Sequence, residues 1–306
     1  MLQNANFTVP QLGPLGRKWG HFEEKGARYS MVFIGSSRVV HHFIPEQFDA
    51  ALHKAGYDTR SFNFGIGGMF PPESLYVLRK LMAQPSMRSR WVAIDLMDFR
   101  PIALGNEESE RAVAWHDWRE TRLTLRMLGG VKSDAALGAP EYHARLFVMR
   151  TLALGRGQGW LQRKAKVGDW KALPLTDSGY EAMETRKMSE RENVEFNDSV
   201  AALKVMQQQV ELPAPYRQEL ESLVALVRSH GAEPVFVVAP MIQGSLHFRD
   251  WPPAGVKQFS YDHPETYSAL YRREDRNDPG HMDGNGAKEF TRIFAEEFSE
   301  WLKQQK

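Results

Sequence analysis

Two short segments far apart in the chain carry residue types that can do chemistry together. The apolar run Met31-Val32-Phe33-Ile34 ends in Gly35-Ser36-Ser37-Arg38, the pattern of a strand that delivers a serine at a strand-to-helix turn. Near the other end, Asp278-Pro279-Gly280-His281 places a carboxylate and an imidazole three residues apart. A serine hydroxyl is a weak nucleophile until a base takes its proton. Histidine is the usual base because its ordinary pKa lies near neutrality. A carboxylate that orients the imidazole completes the set. Ser37, His281 and Asp278 supply those three types. Each segment alone also has a plain structural reading: Gly-Ser-Ser after a strand is often only a turn, and Asp-x-x-His is common.

The elements that must position these residues follow from periodicity. Residues 30–35 and 90–96 are compact apolar runs, and 235–239 is a third, broken by Pro240; all three predict buried strands. A shorter strand is expected at 59–64, breaking at Gly65, Gly67 and Gly68. Helices are expected over 45–55 behind Pro45, after Pro71-Pro72, over 215–230, and from about Gly286 to the end. In the third, Leu220, Leu223, Val224 and Val227 share a face and Gly231 ends it. Strands alternating with helices predict an α/β fold: a three-layer α/β/α, flavodoxin-like parallel sheet of four or five strands. In such sheets ligands bind beyond the carboxyl ends of the strands, where Ser37, Gly67-Gly68 and Asp98 fall.

Residues 101–214 break the alternation. Helical stretches are expected near 108–128, 141–154 and 195–210, with Gly155 to Gly159 as a flexible link. The chain thus reads as one domain, 1–306, with 101–214 a helical cap or lid inserted between the third and fourth strands. No internal repeat is present.

Composition narrows the function classes. Of 306 residues, 42% are apolar and 25% charged, as in soluble globular proteins. Lys+Arg (39) and Asp+Glu (38) nearly cancel, so no net field points to nucleic acid or an anionic membrane. With no cysteine there is neither a disulfide nor a thiolate metal site. Residues 1–20 lack an apolar core long enough for a leader or a spanning helix, which predicts a cytoplasmic chain, or a secreted or periplasmic one if a leader was removed.

The ordered blocks resemble the SGNH (GDSL-type) hydrolase superfamily. Gly35-Ser36-Ser37 matches that family's first block, Asn63-Phe64-Gly65-Ile66-Gly67-Gly68 its second, and Asp278-Pro279-Gly280-His281 its last, just before the final helix. The likeness covers roughly residues 28–100 and 215–302 and leaves the insertion unmatched. The resemblance implies Ser37 as nucleophile, His281 as base and Asp278 as its orienting partner, with the amides of Ser37 and Gly68 as oxyanion donors. Preorganised donors of that kind are worth about 3–4 kcal/mol each. Two departures stand out. Ser36 replaces the family's usual aspartate before the serine. Asp98, in Met97-Asp98-Phe99-Arg100, stands nearest the place of an asparagine donor, and an ionised carboxylate accepts but does not donate. Asp98 must then be protonated or turned away, or Arg38 or Arg100 must supply the positive charge.

The implied activity is a serine esterase that hydrolyses or transfers an acyl group of a small-molecule or glycan ester, with no cofactor and no metal. Two alternatives are a polysaccharide O-acyltransferase or deacetylase, and a non-catalytic SGNH-like binding protein. Oligomeric state is not legible. Trp115-His116-Asp117-Trp118 reads as aromatic packing of a lid helix with a surface His-Asp pair, or as a sugar-binding face. Of His41 and His42, adjacent on a helix, at most one is expected near the site. His247, Asp250 and His263 would form a metal site only if they converged. Gly65-Ile66-Gly67-Gly68 is not a dinucleotide loop, because Phe70 falls where its third glycine belongs.

Overall fold

The computed structural model describes residues 13–99, 110–129, 138–152, 176–183, 185–205, 211–242, 248 and 250–305. Five strands form one parallel sheet: β1 (Met31–Gly35), β2 (Ser61–Gly65), β3 (Trp91–Asp95), β4 (Glu233–Val238) and β5 (Lys257–Ser260). Their order is β2-β1-β3-β4-β5, that of flavodoxin-like sheets. Register is continuous across the centre, with Ile34 beside Phe64 and Ile94, and Ile94 beside Phe236.

Alternation along the strands builds the two cores. Val32, Ile34, Phe62, Phe64, Val92, Ile94 and Phe236 face α1 (Pro14–Lys25), α4 (Glu73–Met82) and α9 (Ala214–Ser229). Met31, Phe33, Trp91, Ala93, Val235, Val237 and Phe259 face α3 (Pro45–Lys54) and α10 (Gly284–Gln304). In α10 the residues Phe290, Phe294, Phe298 and Leu302 repeat every four positions, and each is at most 5% exposed. Burying each such side chain contributes about 1.5–3 kcal/mol, so this stripe is what fastens the last helix to the sheet.

Between β3 and β4 the described residues of the insertion include four helices, α5 (Glu110–Trp115), α6 (Trp118–Leu128), α7 (Ala139–Thr151) and α8 (Glu190–Val205), and non-helical stretches at 176–183 and 185–189. The expected single stretch over 108–128 is two helices. Asp117 accepts hydrogen bonds from the Arg119 and Glu120 amides and so caps a new start. The Gly155–Gly159 link lies outside the described residues. Arg79 of α4 pairs with Glu120 of α6 and Glu219 of α9, joining the insertion to the sheet's first helical layer. Residues 176–183 run along the open edge of β2, where Asn63 N donates to Ser178 O at 2.7 Å. That contact covers an edge that would otherwise present unpaired amides. No helix among the described residues is long and apolar enough to cross a membrane.

Four elements were not foreseen. Helix α1 buries Leu15, Trp19 and Phe22. Strand β5 is half-exposed at three of its four positions, so it carries no apolar run. Strands β6 (Arg276–Asp278) and β7 (His281–Met282) form a hairpin too short to show any period.

Candidate active site

Strand β1 ends at Gly35, and α2 (Ser37–His42) starts two residues later. The turn between them is tight because β3 crowds it: a Cβ on Gly35 would lie 2.6 Å from Val39 Cγ2 and 2.8 Å from Asp95 Oδ2. Asp95 Oδ2 accepts from both Ser36 N (3.3 Å) and Ser36 Oγ (3.0 Å). Ser36 Oγ in turn accepts from Arg38 N and caps α2. Burial pushes the Asp95 carboxyl up to about 6, against the opposing pull of Arg38 and the Ser36 bonds. A carboxylate thus serves the turn that carries Ser37, from β3 and not from the residue before the serine. The signal in the sequence was an aspartate closing an apolar strand.

Asn63, fully buried on β2, holds α2 from the other side. Its Nδ2 donates to Val39 O (2.7 Å) and Phe43 O (2.8 Å), while its Oδ1 accepts from Gly65 N (2.9 Å). Thr291 of α10 completes the clamp, donating to His42 O (3.2 Å) and accepting from Ile44 N (3.0 Å).

The β6–β7 hairpin delivers the other two groups. Asp278 Oδ1 accepts from Gly280 N at 2.8 Å, an Asx turn that folds Pro279-Gly280 back and sets Asp278 beside His281. His281 Nδ1 is 3.0 Å from both Asp278 oxygens, and its Nε2 is 2.7 Å from Ser37 Oγ. A carboxylate only accepts, so Nδ1 carries the proton and Nε2 is left to accept from the serine. Burial pushes the Asp278 carboxyl up, but hydrogen bonds from His281 and the Gly280 amide outweigh it and hold the group below its ordinary value. Asp283 caps α10 through the Asn285 and Gly286 amides, fixing the hairpin's exit. Behind it, Arg276 lies between the rings of Phe196 and Tyr271 and donates to Leu270 O at 2.6 Å.

Both His41 and His42 approach the site, where at most one was expected. Their ring centroids lie 6.1 and 6.0 Å from that of His281. Helix α2 ends at His42, so the hairpin crosses its last turn and meets two adjacent side chains. His42 Nε2 accepts from Met282 N at 3.0 Å, and burial holds this imidazole neutral, well below its ordinary pKa. His41 Nδ1 donates to Glu181 O at 2.7 Å.

The remaining predicted positions fall as follows. Gly68 lies in a turn closed by Met69 N donating to Ile66 O (3.1 Å), and its φ of 67° is one that favours glycine. Ile66 N donates to Gly35 O at 2.9 Å, which sets this turn against the end of β1. Arg38 is 8% exposed and lines a small interior cavity with Asp95, Phe33 and Phe290. Asp98 is exposed, three residues past β3. Arg100 and His247 lie outside the described residues. His116 is not a surface residue: it is fully buried, with Nε2 2.8 Å from His143 Nδ1 and its ring stacked on Trp115. Burial lowers it to about 3. Trp118 is 66% exposed and belongs to a different helix. Among the described residues no three His, Cys, Asp or Glu side chains gather as a metal site.

No family model, no curated protein and no solved structure matches this chain.

The site therefore has to be read from its own geometry. An acyl carbonyl brought to Ser37 Oγ would meet a nucleophile whose proton has an acceptor at 2.7 Å and whose acceptor is oriented by a carboxylate. The topology agrees with this placement. Beyond β1 the chain turns to the α3–α10 layer, whereas the connection from β3, its neighbour in the sheet, reaches β4 through α9 of the other layer; a β1/β3 switch of this kind is where parallel sheets of this order bind ligands.

Proposed function

We propose that the protein is a serine-dependent, SGNH-type esterase acting on an acyl ester. The observation that carries this reading is the unbroken chain of contacts from Ser37 Oγ to His281 Nε2 and from His281 Nδ1 to Asp278. Ser37 Oγ attacks the carbonyl carbon while His281 Nε2 takes its proton. Asp278 keeps the imidazole in the required tautomer and stabilises the imidazolium. The Ser37 amide, at the first position of α2, has no acceptor within its own helix. It and the Gly68 amide donate to the oxyanion. His281 then returns the proton to the leaving alkoxide, and water or a second hydroxyl releases the acyl group by the same steps. A glycan or another small alcohol is a fitting ester partner.

Labelling with a fluorophosphonate probe and turnover of short p-nitrophenyl esters test the reading. The wild type is expected to label stoichiometrically at Ser37 and to turn over the esters, and Ser37→Ala to do neither. Equal turnover by the alanine variant would remove Ser37 from the mechanism. A folded wild type that neither labels nor turns over would favour the non-catalytic binding protein. Product analysis with an acetylated sugar, with and without an acceptor sugar, separates hydrolysis from transfer.

A further inference from the structure

The turn that presents Gly68 is held from the insertion. Residues Ile66 to Met69 form a β-turn closed by the Met69 N to Ile66 O bond, with Gly67 and Gly68 at its centre. Gly68 has φ 67°, whereas Gly67 is not among the glycines with positive φ, which is the signature of a type II turn. Types I and II differ chiefly in which way the central peptide faces. Here that peptide joins Gly67 C=O to Gly68 N–H, and its carbonyl accepts from Arg111 Nη1 at 3.0 Å. Arg111 belongs to α5, and its side chain is 14% exposed. Its guanidinium is aimed by Glu73, the buried first residue of α4, which accepts from Nε and, at 2.9 Å, from Nη2. The two parallel bonds leave Nη1 for Gly67 O.

We propose that Arg111 is a positioning residue for the oxyanion donor: by holding Gly67 O it fixes the central peptide of the Ile66–Met69 turn so that Gly68 N–H is presented to the site. This rests on the esterase reading. The trans peptide puts its N–H on the side opposite its carbonyl. A cation on the carbonyl also polarises the group and strengthens the N–H as a donor. Arg111 gives the insertion a part in the chemistry. It also gives a route to an oxyanion site in which no asparagine side chain is required, which is the place where Asp98 departs from the family pattern.

The test uses Arg111→Met and the double variant Arg111→Met/Glu73→Gln, which leaves no buried carboxylate without its partner. An interaction that matters in the transition state should lower kcat on p-nitrophenyl acetate about tenfold to a hundredfold with KM within about twofold. Arg111→Lys keeps a charge but loses the fork, and should recover part of that loss. A role confined to fastening the insertion would lower the melting temperature and leave kcat alone. A folded double variant with wild-type kcat overturns the proposal. If the wild type neither labels nor turns over, the esterase reading fails first, and the amide resonance of Gly68 decides this one. A moved Gly68 resonance in the double variant supports the Arg111 contact; an unmoved one sinks it.

Discussion

Asp278 accepts from the backbone amides of Gly280 and His281 and from His281 Nδ1–H, and the last of these decides what its replacement does. In Asp278→Asn the side-chain amide can donate to Nδ1. The imidazole proton then moves to Nε2, where it cannot accept from Ser37. Labelling at Ser37 is expected to slow about ten-thousandfold while the melting temperature stays near wild type. A loss smaller than tenfold would separate Asp278 from the tautomer. Ser37, Asp278 and His281 were legible in the sequence because each stands in a local pattern, a strand end or a four-residue turn. Asp95, Asn63 and Arg111 act through partners on other strands and helices, and no local spacing encodes those pairings. The insertion's aromatic cluster misled for the same reason. His116 looks like a surface residue beside Asp117 until His143, from a helix further along the chain, closes over it.

Helix α2 has six residues, too few to be stable alone, so its position is set by what grips it. One grip is the close approach of β2. A Cβ on Gly65 would lie 2.8 Å from Val40 Cα and 2.9 Å from Val39 C, and would overlap Val40 N. None of these atoms is a flexible side chain, so the helix itself must shift. Gly65→Ala is expected to destabilise the protein by about 1–3 kcal/mol and to slow labelling at Ser37. Urea melts and labelling rates check both. An alanine variant with unchanged labelling would mean that α2 tolerates displacement without moving its serine. The strands β1, β3 and β4 were legible because buried parallel strands are continuous apolar runs. Edge strand β5 was not, since its outward positions are half-exposed. Nor was the hairpin that carries Asp278 and His281, whose strands of three and two residues are too short to show a period.

Across the molecule, one buried amine joins parts that lie far apart in sequence. Lys18 of α1 is fully buried, its Nζ 2.7 Å from Gly65 O and 3.7 Å from Glu181 Oε1. Glu181 N donates to Val40 O, and Glu181 O accepts from His41, so this contact ties α1, β2, the 176–183 segment and α2 together. The charges around Lys18 are Glu181, which favours its proton, and Arg17, which opposes it; His41 of α2 lies within its field. Burial is the largest effect and lowers Lys18 from 10.5 to about 7. The sign follows from linkage. Between about pH 7 and 10.5 the unfolded chain binds a proton at this lysine that the native protein does not, so Lys18 makes stability rise with pH across that window. Below it both states are protonated, and the native state bears the full cost of the buried charge, at most roughly 5 kcal/mol at about 1.4 kcal/mol per pH unit. Lys18→Met removes that cost together with one hydrogen bond worth about 1 kcal/mol. Urea unfolding at pH 6 should therefore show the methionine variant as the more stable protein, with its advantage shrinking at pH 9. Equal stability differences at the two pH values would show that the lysine ionises alike in both states. A methionine variant that is more stable yet slower to label at Ser37 would mean that the lysine is kept for placing α2 and Gly65, at a cost to the fold.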